Sequence, residues 1–75
     1  MEFDKEFDAS GLSCPLPIVK TKKILSGMTS GQVLRVVSTD PGSVSDMPAF
    51  TGHSGDTLLE QVTENAKFVF YIKKA

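Results

Sequence analysis

What most constrains this chain is its punctuation. Along 75 residues, breakers recur at Gly11, Gly27, Gly31, "DPG" at 40–42 and "GHSGD" at 52–56, so every regular element between them must be short. A chain of this size buries only about 60% of the surface it exposes when unfolded. Its core is therefore thin, and chemistry belongs at the surface rather than in an internal cavity. The chain reads as one small domain over residues 1–75.

Between the breaks the hydrophobic period changes. "DKEFDA" alternates apolar and polar around Phe7 and predicts a first strand. Past Gly11 a helical pattern begins near Pro15, with Pro17, Ile18, Thr21, Ile24, Leu25 and Met28 on one side and Lys20, Lys22, Lys23 and Ser26 on the other. Gly27 and Gly31 are its candidate stops. "QVLRVVST", residues 32–39, is β-branched and short, which predicts a largely buried strand. Asp40 then suits an N-cap and Pro41 a first helical position, where its missing N–H costs nothing. Val44, Met47 and Phe50 offer the next helix a stripe to bury, Pro48 should kink or break it, and "GHSGD" should mark its end. Met47 and Phe50 read as core.

"TLLEQVT" and "KFVFYIK" are strand-like runs joined by "ENA", a connection short enough for an antiparallel hairpin. Phe68, Phe70 and Ile72 should share the covered face, leaving Val69 and Tyr71 on a partly open one. The order β-α-β-α-β-β predicts an α/β fold, a two-layer sandwich with a mixed four-stranded sheet and both helices on one face, where right-handed crossovers put them.

A formal net charge of -1 with 40% hydrophobic and 23% charged residues is ordinary for a soluble globular protein and carries no electrostatic footprint for nucleic acid. The acidic start "MEFDKEFDAS" has no long apolar run, so neither a signal peptide nor a membrane span is expected, and the location predicted is cytoplasmic. The single cysteine, Cys14, cannot form an intramolecular disulfide. A thioredoxin-type exchanger needs a second cysteine three positions on, and here that position is Pro17.

Cys14 falls between a glycine turn and the first turn of the predicted helix, where free backbone N–H groups and the positive end of the dipole converge. Such a setting lowers a thiol pKa from about 8.5 to roughly 3.5–7.5 and favours the nucleophilic thiolate. Pro15 and Pro17 hold φ near its helical value and stiffen the helix entrance. By position alone the thiol is as readily a small buried hydrophobe as a nucleophile.

Taken together, "DASGLSCPLP", "TDPGSVSDMPAF" and the final apolar run ending in "YIKK" resemble the TusA-type, SirA-like sulfur carriers, over nearly the whole chain. The resemblance implies that the cysteine of the CPxP motif, Cys14, takes up a sulfane sulfur as a persulfide and passes it on, with Pro15 and Pro17 in support. It places the family's acidic positions on Asp40 and Asp46 and its helix-breaking proline on Pro48. Members serving tRNA thiolation often have glutamate between the prolines and arginine before the second-helix aspartate; here those residues are Leu16 and Ser45. A "CPLP" form with a lysine-rich first helix is more similar to carriers that feed DsrE-type sulfurtransferases in sulfur oxidation. The implied donor is a cysteine desulfurase or rhodanese type of protein, and the implied partner surface is Leu16, Lys20, Lys23 and Asp46.

Other readings stay open beside it. A relay for tRNA 2-thiouridine or cofactor biosynthesis uses the same chemistry. A redox-sensing thiol protein would oxidise Cys14 to a mixed disulfide or sulfenic acid, and a regulatory binding module would use the cysteine only structurally. Lys20, Lys22 and Lys23 are most simply a solvated helix face, or else a docking surface for an acidic partner. His53 reads as a loop or helix-end residue rather than a base, and one histidine with one cysteine makes no metal site. No cofactor is expected.

Overall fold

The alternation around Phe7 is realised as β1 (Lys5–Ala9), and the helical pattern after the glycine turn as α1 (Leu16–Ser26), in a computed structural model that describes residues 2–13 and 16–75. They are followed by β2 (Val33–Ser38), α2 (Ser43–Ser54), β3 (Thr57–Glu64) and β4 (Lys67–Lys73). The sheet order is β1-β2-β4-β3, with β1 parallel to β2 and β4 antiparallel to both its neighbours. The expected mixed-sheet α/β sandwich is what forms. Because β1 and β2 are parallel, the loops leading into α1 and α2 leave from the same end of the sheet.

The covered face holds the core. Leu34, Val36, Phe70 and Ile72 are fully buried there, against Leu25 of α1, Met28 just beyond it and Met47 of α2. Phe7, Ile18, Ile24, Phe50, Leu58 and Phe68 close its rim. Each fully buried side chain of this size contributes about 1.5–3 kcal/mol of transfer free energy. In α1 the buried residues are Pro17, Thr21 and Leu25, one every fourth residue, while Lys20, Lys22, Lys23 and Ser26 are exposed as the wheel requires.

The second helix departs from expectation in two ways, while its end falls in "GHSGD" as expected. Its buried stripe is Ser43, Met47 and Thr51, whereas Val44 is exposed and Phe50 half-buried. Small hydroxyl residues can line the core because their polar atoms are satisfied nearby: Ser43 shares a hydrogen bond with Ser38 at 2.8 Å, and Thr51 Oγ1 donates back to the carbonyls of Met47 and Pro48. Pro48 neither ends nor divides the helix. Proline withholds the N–H that the Val44 carbonyl would otherwise accept, and Gln61 Nε2 of β3 reaches that carbonyl at 3.4 Å. The helix then runs into "GHSGD" as far as Ser54, where Gly55 at φ +85° forms the left-handed cap and its N–H meets the Thr51 carbonyl.

The hairpin loop is shorter than "ENA". Glu64 still pairs with Lys67, leaving Asn65 and Ala66 at φ +49° and +63°, the two positive values of a type I′ turn.

The uncovered face carries Val69 and Tyr71 as expected, yet Val69 and its cross-strand partner Val37 are buried. Charged side chains do the covering. Glu6, Asp8, Arg35 and Lys67 rim a shallow depression around the two valines. Arg35 pairs with Glu6, donates to the Tyr71 hydroxyl at 3.3 Å and lies 5.8 Å from the ring centre of Phe3. Those bonds, the one to Tyr71 first and then Glu6, push the guanidinium pKa above its ordinary value. Among the described residues no helix is long and apolar enough to cross a membrane.

Candidate functional site

The chain reaches its one cysteine through a turn in which three successive N–H groups each find an acceptor. Ser10 N–H donates to Asp8 Oδ1 at 3.0 Å, Gly11 N–H to Thr39 Oγ1 at 2.9 Å, and Leu12 N–H to the Ala9 carbonyl at 3.1 Å. The last closes a β-turn over residues 9–12 with Gly11 at its third position, and φ +83° there is the type II geometry that glycine alone adopts without strain. Asp8's carboxyl is held below the ordinary carboxylate range by the Ser10 side chain beside it and by the Ser10 N–H. Cys14 and Pro15 lie outside the described residues. On their far side Leu16 N–H donates to the Ser13 carbonyl at 3.0 Å, opening α1.

The neighbouring junction, between β2 and α2, has ties of its own. Asp40 N–H donates to the buried Ser38 hydroxyl at 3.1 Å, and the Asp40 carboxylate accepts the Gly42 N–H at 3.1 Å. Asp40 thus makes the bond of an N-cap, but the residues after it form a turn. The regular helix starts at Ser43 with Gly42 in the cap position, and Gly42 uses no side-chain bond. The Asp40 and Asp46 carboxylates converge on Gly42, each with an oxygen 3.4–3.6 Å from where a Cβ would stand.

The other expected site residues divide between the two helices. Leu16 is 44% exposed, and Lys20 and Lys23 are exposed on the same face of α1. Asp46 belongs to the first turn of α2, beside Asp40, and not to the α1 face. Pro17 is fully buried, so its ring packs in the core as well as stiffening the helix entrance. His53 is exposed in the last turn of α2. Among the described residues no group of three or more His, Cys, Asp or Glu side chains is placed to hold a metal ion.

Two residues escaped the sequence reading. Val19 is 56% exposed, and with Leu16, Lys20 and Lys23 it completes an outward stripe at the i, i+3, i+4, i+7 spacing of one helix face. A helical wheel carries that signal, since Val19 falls among the lysines. Thr39 was passed over because nothing local marks it; its partner Gly11 is 28 residues away in sequence.

Chemically, the two helix entrances offer different things. The first turn of α1 contains no acidic residue, whereas that of α2 contains Asp46. An anion borne just ahead of α1 therefore meets a helix whose own first turn carries no carboxylate.

Comparison with known proteins agrees with this architecture of two helices over a mixed sheet. The family model described as "Sulfurtransferase TusA" matches residues 5–74, and the chain belongs to that family. A sulfur carrier protein TusA from Allochromatium vinosum is 57% identical over 74 residues, covering 99% of this chain and 97% of the relative. The putative sulfur carrier protein YrkI of Bacillus subtilis is 46% identical over 74 residues, covering 99% of each. The crystal structure of a SirA-like protein from Desulfitobacterium hafniense superposes with a TM-score of 0.84 at 24% identity, over 93% of this chain and 96% of that one, and shows the shared fold.

Proposed function

We propose that this protein is a cytoplasmic sulfur carrier that holds sulfane sulfur as a persulfide on Cys14 and hands it to a partner sulfurtransferase. The observation that carries the reading is the position of the chain's one thiol, two residues ahead of a helix whose first turn has no acidic side chain. The names borne by the relatives from Allochromatium vinosum and Bacillus subtilis point the same way.

Loading is an exchange without net oxidation. The Cys14 thiolate attacks the outer sulfur of a donor persulfide, a new S–S bond forms, the donor's S–S bond breaks, and the donor thiolate leaves with the electron pair. Delivery repeats the step in reverse: an acceptor thiolate takes the outer sulfur and Cys14 departs as thiolate. The N-terminal end of α1, with no acidic residue in its first turn, favours the charged form of both the thiol and its persulfide.

The donor is of cysteine desulfurase or rhodanese type, and the acceptor a DsrE-type protein of sulfur oxidation. Support for that acceptor comes from Leu16, 44% exposed at the start of α1 and followed by Val19, Lys20 and Lys23 on the same face. An apolar anchor with a cationic flank suits a partner with an apolar recess and an acidic rim. To test the carrier reading, the protein is incubated with polysulfide and weighed intact. A gain of one sulfur atom is expected, removable by reductant and absent in Cys14→Ser; an unchanged wild-type mass rejects it.

A further inference from the structure

We infer that Thr39 is a positioning residue for Cys14, acting across the two strand-end loops through the Gly11 backbone. The inference rests on Cys14 being the working thiol and names a residue that holds the segment before it. Its basis is the 2.9 Å bond from Gly11 N–H to Thr39 Oγ1, which joins the β1–α1 loop to the β2–α2 junction.

The two ends of this tether differ in rigidity. Thr39 stands on a fixed platform: Ser38 on one side is fully buried, bonded to Ser43 and accepting the Asp40 N–H, and Asp40 on the other accepts the Gly42 N–H. Gly11 is exposed, and glycine is the residue whose backbone has most freedom to lose. The N–H groups of its neighbours Ser10 and Leu12 are held from the end of β1, through Asp8 and Ala9. Local bonds fix the shape of the turn. The Thr39 bond adds a tie from the turn to the neighbouring junction, and the cysteine follows three residues later.

The hydroxyl does this without a large stake in stability. Gly11 is exposed, so a lost acceptor is replaced by water, and the variant should fold. What changes is the hold on the turn that leads into the thiol, and through it the stabilisation of the thiolate.

The test compares wild type with Thr39→Val, which keeps the shape and removes the acceptor, and Thr39→Ser, which restores it. The rate of Cys14 alkylation by iodoacetamide is followed against pH. Thr39→Val should raise the midpoint by about half a pH unit, a threefold slower reaction below it, and Thr39→Ser should return it to the wild-type value. Hydrogen exchange at the Gly11 amide gives a second readout that does not use the variants. Protection in the wild type is expected. A Gly11 amide that exchanges as freely as an unstructured one overturns the tether, as does a Thr39→Val profile equal to wild type or a Thr39→Ser variant that behaves like valine. Polysulfide loading is measured alongside: a wild type that takes no sulfur refutes the carrier reading, while the alkylation profile still decides the role of Thr39.

Discussion

The two strand-to-helix junctions are built from similar parts and finished differently. Each follows the carboxyl end of a parallel strand and each enters its helix past proline, Pro15 and Pro17 in one and Pro41 in the other. The second junction neutralises itself: Asp40 accepts the Gly42 N–H, Asp46 lies in the first turn, and buried Ser38 and Ser43 lock the backbone beneath them. The first has no acidic residue in its helix's opening turn and carries exposed Leu16 and Val19 instead. A helix whose first turn has no acidic residue can serve an external or covalently carried anion, whereas one that supplies its own carboxylate has less left to offer. On the function proposed above, the α1 end is the working one and the α2 end the structural one.

The prolines give the largest measurable difference. Pro17 is fully buried while Pro41 is exposed. Truncating Pro17 to alanine removes core methylenes, leaves a cavity and loosens the unfolded chain, so Pro17→Ala should cost about 2 kcal/mol. Pro41→Ala has only the last of these effects and should cost about 0.5 kcal/mol. Urea unfolding of both variants decides the matter, and equal losses would show that proline's rigidity, not packing, sets the role of each.

Next comes recognition. Leu16→Glu places an acidic residue in the first turn of α1, which has none of its own, and removes an exposed apolar anchor. Transfer to a DsrE-type acceptor should weaken by about tenfold, equivalent to 1.4 kcal/mol, while Cys14 still loads with sulfur. Val44 is the matching exposed apolar residue at the second position of α2, and Val44→Glu should leave transfer unchanged. If the two substitutions act alike, the partner covers both helix entrances and the division drawn above fails.

Much of this was legible in the sequence because it depends on local period. The α1 face of Pro17, Thr21 and Leu25, the covered side of β4 and the order of elements all follow from residues close together in the chain. What was not legible depends on partners distant in sequence. Ser43 lines the core only because Ser38 is there to bond it, and α2 continues through Pro48 with Gln61 reaching the Val44 carbonyl. Val37 and Val69 are buried on an open face because charged neighbours lie over them. The same holds at the site. Cys14 and its prolines announced themselves as a motif, while Thr39 and the stripe that Val19 completes needed the fold to bring out their roles.

The smallest effect concerns Asp40, and it tests whether the two junctions are as separate as their chemistry makes them. Removing the carboxylate in Asp40→Ala leaves the Gly42 N–H without its acceptor and takes a negative charge from the start of α2, which should cost about 1 kcal/mol. Asp40→Asn keeps an acceptor in the same place, so it should recover most of that loss; urea midpoints of the two variants measure the share that belongs to the hydrogen bond and the share that belongs to charge. Asp40 lies outside α1, and the alkylation profile of Cys14 is expected at its wild-type midpoint in both. A profile shifted in Asp40→Ala as in Thr39→Val would mean that Asp40 works through its neighbour, by holding the platform from which Thr39 reaches Gly11. The structural junction would then be part of the working one, joined to it through a single hydroxyl.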